Sequence, residues 1–172
     1  MMDLLQTRLQ VLEWLRSHQI PFELYEHERA HSIDMCLQMP FISDDVTICK
    51  NILLCNRQET AFYLLLLKPL TPFKTAVVSK LLGSSRLSFA PENRLEELLH
   101  LSSGSVSPLG LLNDAEHKIT LCYEKGVLST PKIAFHPCDN SATVVFEQSV
   151  FWNNVLELMH ISPVCISLPE ND

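Results

Sequence analysis

Three short segments of this 172-residue chain carry side chains whose type and spacing could do chemistry. Cys49-Lys50-Asn51 opens an otherwise apolar stretch, so a lysine interrupts the alternation where burial should be increasing. The aliphatic stem of a lysine lets it run out to water from a strand end. The functional alternative is a point cation aimed into a cleft at a phosphate or ribose, with Asn51 adding directional hydrogen bonds. The stretch Gly104-Ser105-Val106-Ser107-Pro108-Leu109-Gly110 must be a loop, in which Gly104 permits positive φ and Pro108 stiffens the exit. Either it simply connects two elements, or the N–H groups of Ser105, Val106 and Ser107 converge on a carbonyl oxygen. Donors so placed suit ester hydrolysis, where charge builds on that oxygen in the transition state. Finally, Phe135-His136-Pro137 ends a strand with its backbone held by the proline, and Asn140 follows four residues beyond the histidine. The ring can face a cleft or be satisfied by a nearby carbonyl, and Asn140 can equally hold the turn.

Other chemistries are poorly served. The chain has no G-x-S-x-G elbow, Walker loop, H-E-x-x-H or G-x-G-x-x-G fingerprint. His27 and His31 have i, i+4 spacing but straddle a strand-to-helix junction without a third ligand, so no metal is expected. Cys36, Cys49, Cys55, Cys122, Cys138 and Cys165 are scattered with no C-x-x-C pair, which reads as buried hydrophobes in a reducing compartment. With no basic-then-apolar leader and no apolar run long enough for a bilayer, the expected setting is the cytoplasm.

The elements that must position these residues alternate irregularly. Leu5, Leu9, Leu12 and Leu15 predict an amphipathic helix from about Asp3 to His18, followed by a strand at 22–26. Ser32 predicts the cap of a short helix towards Met39. The apolar runs 48–55 and 61–67 predict a hairpin, the second run buried on both faces. Thr71-Pro72 suggests the cap and first turn of a helix from Phe73 to Leu82, closed by Gly83, and Pro91 opens another through Leu99. Strands are expected at 119–123, 132–136 and 142–147, then a helix over 150–159 capped by Ser149 and a last strand at 164–168. This order predicts a single α/β domain of the α+β type spanning 1–172, a mixed and largely antiparallel sheet flanked by helices.

A net charge of −7 argues against indiscriminate nucleic-acid coating, but the charge is unevenly spread. From Lys50 to Arg86 there are six basic residues and one acid, a local +5 against −12 elsewhere. That is either surface scatter or a landing place for a polyanion on a repelling body.

Taken in order, these segments resemble the YbaK-type editing fold, and more closely its prolyl-tRNA editing branch. The resemblance rests on Cys49-Lys50-Asn51-Ile52-Leu53-Leu54, Tyr63 to Leu67, Lys80-Leu81-Leu82-Gly83, Leu87-Ser88-Phe89-Ala90, the Gly104 to Leu111 loop, Phe135-His136-Pro137 and Asn140 to Val144. It implies a trans-editing hydrolase that removes a small amino acid, most typically alanine, from mischarged proline tRNA. A cysteine-releasing or broader deacylase is the near alternative, and a non-catalytic module that binds charged tRNA or a synthetase is the more distant one. In that family pattern Lys50 holds the terminal adenosine, with Asn51 its neighbour, and Gly104 and Pro108 frame the G-x-x-x-P loop that positions the aminoacyl group. His136 falls at a pocket histidine. The implied partners are the acceptor end of a charged tRNA and a prolyl-tRNA synthetase, with no cofactor, metal or membrane. The chain departs from the pattern at Pro69-Leu70-Thr71-Pro72-Phe73, which bears on docking of the acceptor stem, and at Met159-His160.

Overall fold

The computed structural model describes residues 4–30 and 32–169, and of residues 4–6 the backbone only. Helix α1 (Leu4–Ser17) leads into strand β1 (Glu23–Glu26) and a short helix α2 (Ile33–Leu37). Strands β2 (Val46–Ile48) and β3 (Lys50–Asn56) form one extended run interrupted at Cys49, and β4 (Phe62–Leu67) returns beside β3. Next come α3 (Thr75–Leu81), β5 (Leu87–Phe89), α4 (Glu92–Leu99) and two 3-10 turns at Ser103–Ser105 and Pro108–Asn113. Strands β6 (Ile119–Glu124), β7 (Lys132–Phe135) and β8 (Ala142–Glu147) precede a composite helix: α5 (Gln148–Val150), a π-helical turn (Phe151–Val155) and α6 (Leu156–Leu158). Strand β9 (Val164–Ile166) ends the described fold.

The predicted mixed sheet is present, divided in two. One sheet has the order β1-β8-β7-β2 and the other β5-β3-β4-β6-β9. Antiparallel pairing predominates, with β2–β7, β4–β6 and β6–β9 parallel. The division falls at Cys49, whose N–H still bonds Ala134 in the first sheet (3.2 Å) while Lys50 already pairs with Leu67 in the second. Alternation along β3 then sends Ile52 and Leu54 into the apolar cluster under α3, and Leu53 and Cys55 into the larger cluster. Both faces of β4 are buried, as expected: Leu64 to Leu67 are fully enclosed. Burial of each such leucine stabilises by roughly 1.5–3 kcal/mol relative to exposure, so a charged residue at Leu65 would break this hairpin. The turn between the strands is tied by Asn56, whose Oδ1 accepts from the N–H groups of Thr60 (2.8 Å) and Ala61 (3.1 Å).

Several local expectations need correction. In α1 the inward face is Arg8, Val11, Leu12 and Leu15, while Leu9 is 50% exposed and Asp3 and the Leu5 side chain lie outside the described residues. The helix is rotated because Arg8 is drawn inward by Asp139 and Glu26. Helix α3 begins at Thr75 after Lys74, not at Thr71-Pro72, because residues 71–74 are taken up in covering Lys50. Gly83 does close it, at φ +67°. The last helix starts at Gln148 with Glu147 preceding it, so Ser149 lies inside and does not cap. Strand β5 had no recognisable pattern, being three residues of an edge with Leu87 alone buried. All six cysteines are free thiols, five of them buried. Among the described residues no helix is long and apolar enough to cross a membrane.

Candidate functional site

A cavity of about 290 Å³ opens where the two sheets part, between the start of β3, helix α2, the 103–106 turn and the end of β7. It brings together five of the residues singled out in the sequence: Lys50, Asn51, Gly104, Val106 and His136. Ser105, Ser107, Pro108 and Asn140 are buried behind its wall and do not line it. Thus a strand, a loop and a strand end, far apart in the chain, meet at one hollow.

Lys50 stands at the seam, partly buried. Its Nζ donates to the Thr71 carbonyl at 3.3 Å and lies 5.5 Å from the centre of the Phe73 ring. Burial holds its ammonium below the ordinary lysine range. Among the described residues no carboxylate is within salt-bridge distance, so its charge remains available. Asn51 faces the opposite way from Lys50 and ties the loop to β3, its Nδ2 donating to the Val106 carbonyl at 3.0 Å. Its Oδ1 is buried and has no hydrogen-bond partner among the described residues.

The loop is built differently from the expectation. Gly104 does not adopt positive φ, which among the glycines belongs to Gly83 alone. A Cβ there would meet Asn140 Nδ2, behind the cavity wall, at 3.5 Å, which is ordinary contact. The Ser105 N–H is already bonded to the Ser102 carbonyl (3.0 Å), and of the three proposed amide donors only Val106 belongs to a lining residue. Pro108 opens the second 3-10 turn, where Ser107 Oγ accepts from the Leu109 N–H at 3.2 Å. Pro108 and Ser107 therefore fix the loop from beneath.

His136 follows β7 directly. A carbonyl can only accept, so the 2.8 Å contact of Nδ1 with Ala142 O puts the ring proton on Nδ1 and leaves Nε2 bare towards the cavity. Nε2 lies 3.6 Å from Cys36 Sγ, which fits a weak S–H donor. Burial holds the imidazole below its ordinary value despite the opposing pull of the Ala142 carbonyl. Burial likewise pushes the Cys36 thiol up, and the Cys49 thiol further. The pair is therefore neutral thiol and neutral imidazole, not an activated nucleophile.

Cys36 was missed in the sequence because a scattered cysteine carries no spacing signal; the Ser32 cap of its helix was the only local hint. A second omission is the set of groups behind the 136–141 turn. Asp139, 1% exposed, lies 3.2 Å from Arg29 and 3.6 Å from Arg8, and accepts from Ser141 Oγ at 2.7 Å. Asn140 accepts from Arg29 (3.0 Å) and donates to the Ala30 carbonyl (3.2 Å). Asn140 therefore ties down the Ala30 wall from outside the cavity. Among the described residues no three His, Cys, Asp or Glu side chains gather as a metal site, and His31 lies outside those residues.

Comparison with known proteins converges on one family. The model of the aminoacyl-tRNA editing domain matches residues 27–151, a span that contains every residue lining the cavity. The chain is 33% identical over 144 residues to the prolyl-tRNA editing protein ProX of Acetoanaerobium sticklandii, covering 84% of this chain and 85% of that one. It is 27% identical over 163 residues to prolyl-tRNA synthetase associated domain-containing protein 1 of Danio rerio, covering 93% and 86%. In fold it is similar to a solved structure described as a candidate trans-editing enzyme for prolyl tRNA synthetase, with TM-score 0.73 at 16% identity, covering 96% of this chain and 98% of that one.

Proposed function

The chain belongs to the aminoacyl-tRNA editing domain family, and we propose that it is a cytoplasmic deacylase that clears mischarged proline tRNA in trans, with alanine the preferred amino acid. The observation that carries this reading is the shared cavity: Lys50, Val106 and His136 line one hollow of about 290 Å³, at the low end of ligand-site volumes. An ester of this kind is already activated, so orientation and a few aimed donors suffice. Lys50 holds the phosphate or ribose of the terminal adenosine. The Val106 amide is the donor towards the ester carbonyl oxygen as it gains charge. Water adds to that carbon, the bond to the ribose oxygen breaks, and the amino acid leaves as the free acid while the ribose recovers its hydroxyl. The substrate's own 2′-hydroxyl assists the water, in keeping with a cavity whose thiols are protonated and whose histidine is neutral. His136 Nε2, bare towards the cavity, is an acceptor suited to the substrate's α-ammonium.

Selection then works by volume. A synthetase pocket cannot strongly exclude a smaller analogue, and a second, smaller site that admits alanine but rejects the cognate residue supplies the missing discrimination. The test is a panel of one proline tRNA charged in turn with alanine, cysteine, serine and proline. Rapid release of alanine with proline retained is expected. Preferential release of cysteine would transfer the assignment to that substrate, and no release from any ester would remove the deacylase reading.

A further inference from the structure

The basic residues of this chain are compensated unevenly. Of the seven outside the 50–86 segment, Arg8, Arg29, Arg94, Lys118 and Lys132 sit within salt-bridge distance of a carboxylate, and Arg16 and Lys125 do not among the described residues. Inside it, none of Lys50, Arg57, Lys68, Lys74, Lys80 and Arg86 does so among the described residues. The single acid of that segment, Glu59, is itself held by Arg94 at 2.9 Å. An acidic protein thus keeps one stretch of cations uncompensated.

Aromatic rings connect this stretch to the cavity. The Phe73 ring lies 5.5 Å from Lys50 Nζ, and Phe89 meets Phe73 at 6.2 Å in an edge-on arrangement. Phe89 is 63% exposed on the edge strand β5, an unusual place for a phenylalanine with no structural task. Phe89 itself lines a groove of about 440 Å³ together with Arg57 and Arg86, and the one carboxylate in its lining, Glu59, is paired with Arg94. Phe89 stands opposite Leu54, four residues along β3 from Lys50, a separation of about 13 Å that corresponds to roughly four stacked bases.

We propose that Phe73, Phe89, Arg86 and Arg57 form a track for the single-stranded 3′ tail of the acceptor stem, leading its last nucleotide to Lys50. This rests on the deacylase reading for its substrate, and it adds the route by which that substrate arrives. Stacking on rings and unpaired cations beside a backbone is how single strands are held without regard to sequence. The cavity would then read the amino acid and the track would read only that the end is unpaired.

The experiment measures binding by fluorescence anisotropy of the full-length chain to two stem-loop RNAs, one with four unpaired 3′ nucleotides and one blunt. The unaltered protein is expected to prefer the tailed RNA. Phe89→Ala should weaken tailed binding at least about fivefold and leave blunt binding as it was. Arg86→Gln should lower the log–log salt dependence by about 0.7, one phosphate contact on a single strand. Lys118→Gln, an exposed cation already paired with Glu116, should change neither. Equal affinity of the unaltered protein for the two RNAs, or tailed binding undiminished in both Phe89→Ala and Arg86→Gln, overturns the track. Amino-acid release from charged tRNA, measured on the same preparations, tests the deacylase reading separately. Tail-dependent binding without release removes that reading and keeps the track, and release with tail-independent binding does the reverse.

Discussion

The turn from His136 to Ala142 has two sides, and they are built on opposite principles. Behind it, charge is paired with charge: Asp139 sits between Arg8 and Arg29 and takes the Ser141 hydroxyl, and Asn140 uses both ends of its amide. Arg8 Nε is the one buried donor there that has no partner among the described residues. In front, polar capacity is left over. Lys50 has one carbonyl and a ring, Asn51 Oδ1 is buried with no partner among the described residues, and His136 Nε2 faces a thiol at 3.6 Å. A buried acceptor without a donor costs about 1–3 kcal/mol, so a group that donates to Asn51 Oδ1 would be favoured at the front. Charge is compensated where geometry must be fixed and uncompensated where something is to be received.

That contrast can be broken from the back first. Asp139→Ala should destabilise the protein by about 1–3 kcal/mol in chemical denaturation, because Arg8 and Arg29 lose a shared buried carboxylate while Arg8 keeps Glu26 at 2.7 Å; a loss near zero would mean that the ion cluster is ornamental. Burial by itself would raise the Asp139 carboxyl, but the Ser141 hydroxyl and N–H, then Arg29 and Arg8, hold it below its ordinary value. Its contribution is therefore present above the unfolded carboxylate range and lost as pH falls through the lowered folded value. Asp139→Asn should flatten the acid limb of a stability profile.

The front answers next. Lys50→Ala should cut the rate of deacylation roughly 10- to 100-fold, the worth of a charge-assisted hydrogen bond of about 1.5–3 kcal/mol, with the melting temperature nearly unchanged. A variant with full activity would remove Lys50 from the site. Gly104→Ala meets only ordinary contact, at an Asn140 amide outside the cavity, so the fold should survive and turnover should fall by less than about threefold. Smallest of all, Lys50→Met should raise the thermal midpoint slightly, because a cation held below its ordinary pKa by burial is a stability cost at neutral pH. In pH profiles, the acid limb assigned to His136 should fall below the ordinary histidine midpoint, since burial disfavours its imidazolium. A limb at or above that midpoint would exclude it.

Much of the front was legible in the residues. Lys50 stood out because a charge breaks an apolar strand, and His136 because a proline follows it. The hairpin was legible for the same reason: Leu64 to Leu67 can only be a strand covered on both faces. The back was not legible, because Arg8, Arg29 and Asp139 meet across 110 or more positions of sequence and no local pattern records such a meeting. Helix boundaries went astray where tertiary contact overrode a local signal, as when Thr71 serves Lys50 through its carbonyl instead of capping α3. The loop at Gly104 was rightly placed but for the wrong reason, since its glycine adopts no unusual backbone angle and a Cβ there would meet only ordinary contact.

The passage of the chain from one sheet to the other through the single residue Cys49 has a mechanical consequence. Cys49 is 5% exposed, is bonded to Ala134 on one side and is followed at once by the β3 ladder on the other. The floor of the cavity therefore cannot widen unless both ladders shear together, and packed interiors resist such shear. If the cavity selects its guest by volume, as proposed, the tolerance of that selection is set by the stiffness of this joint.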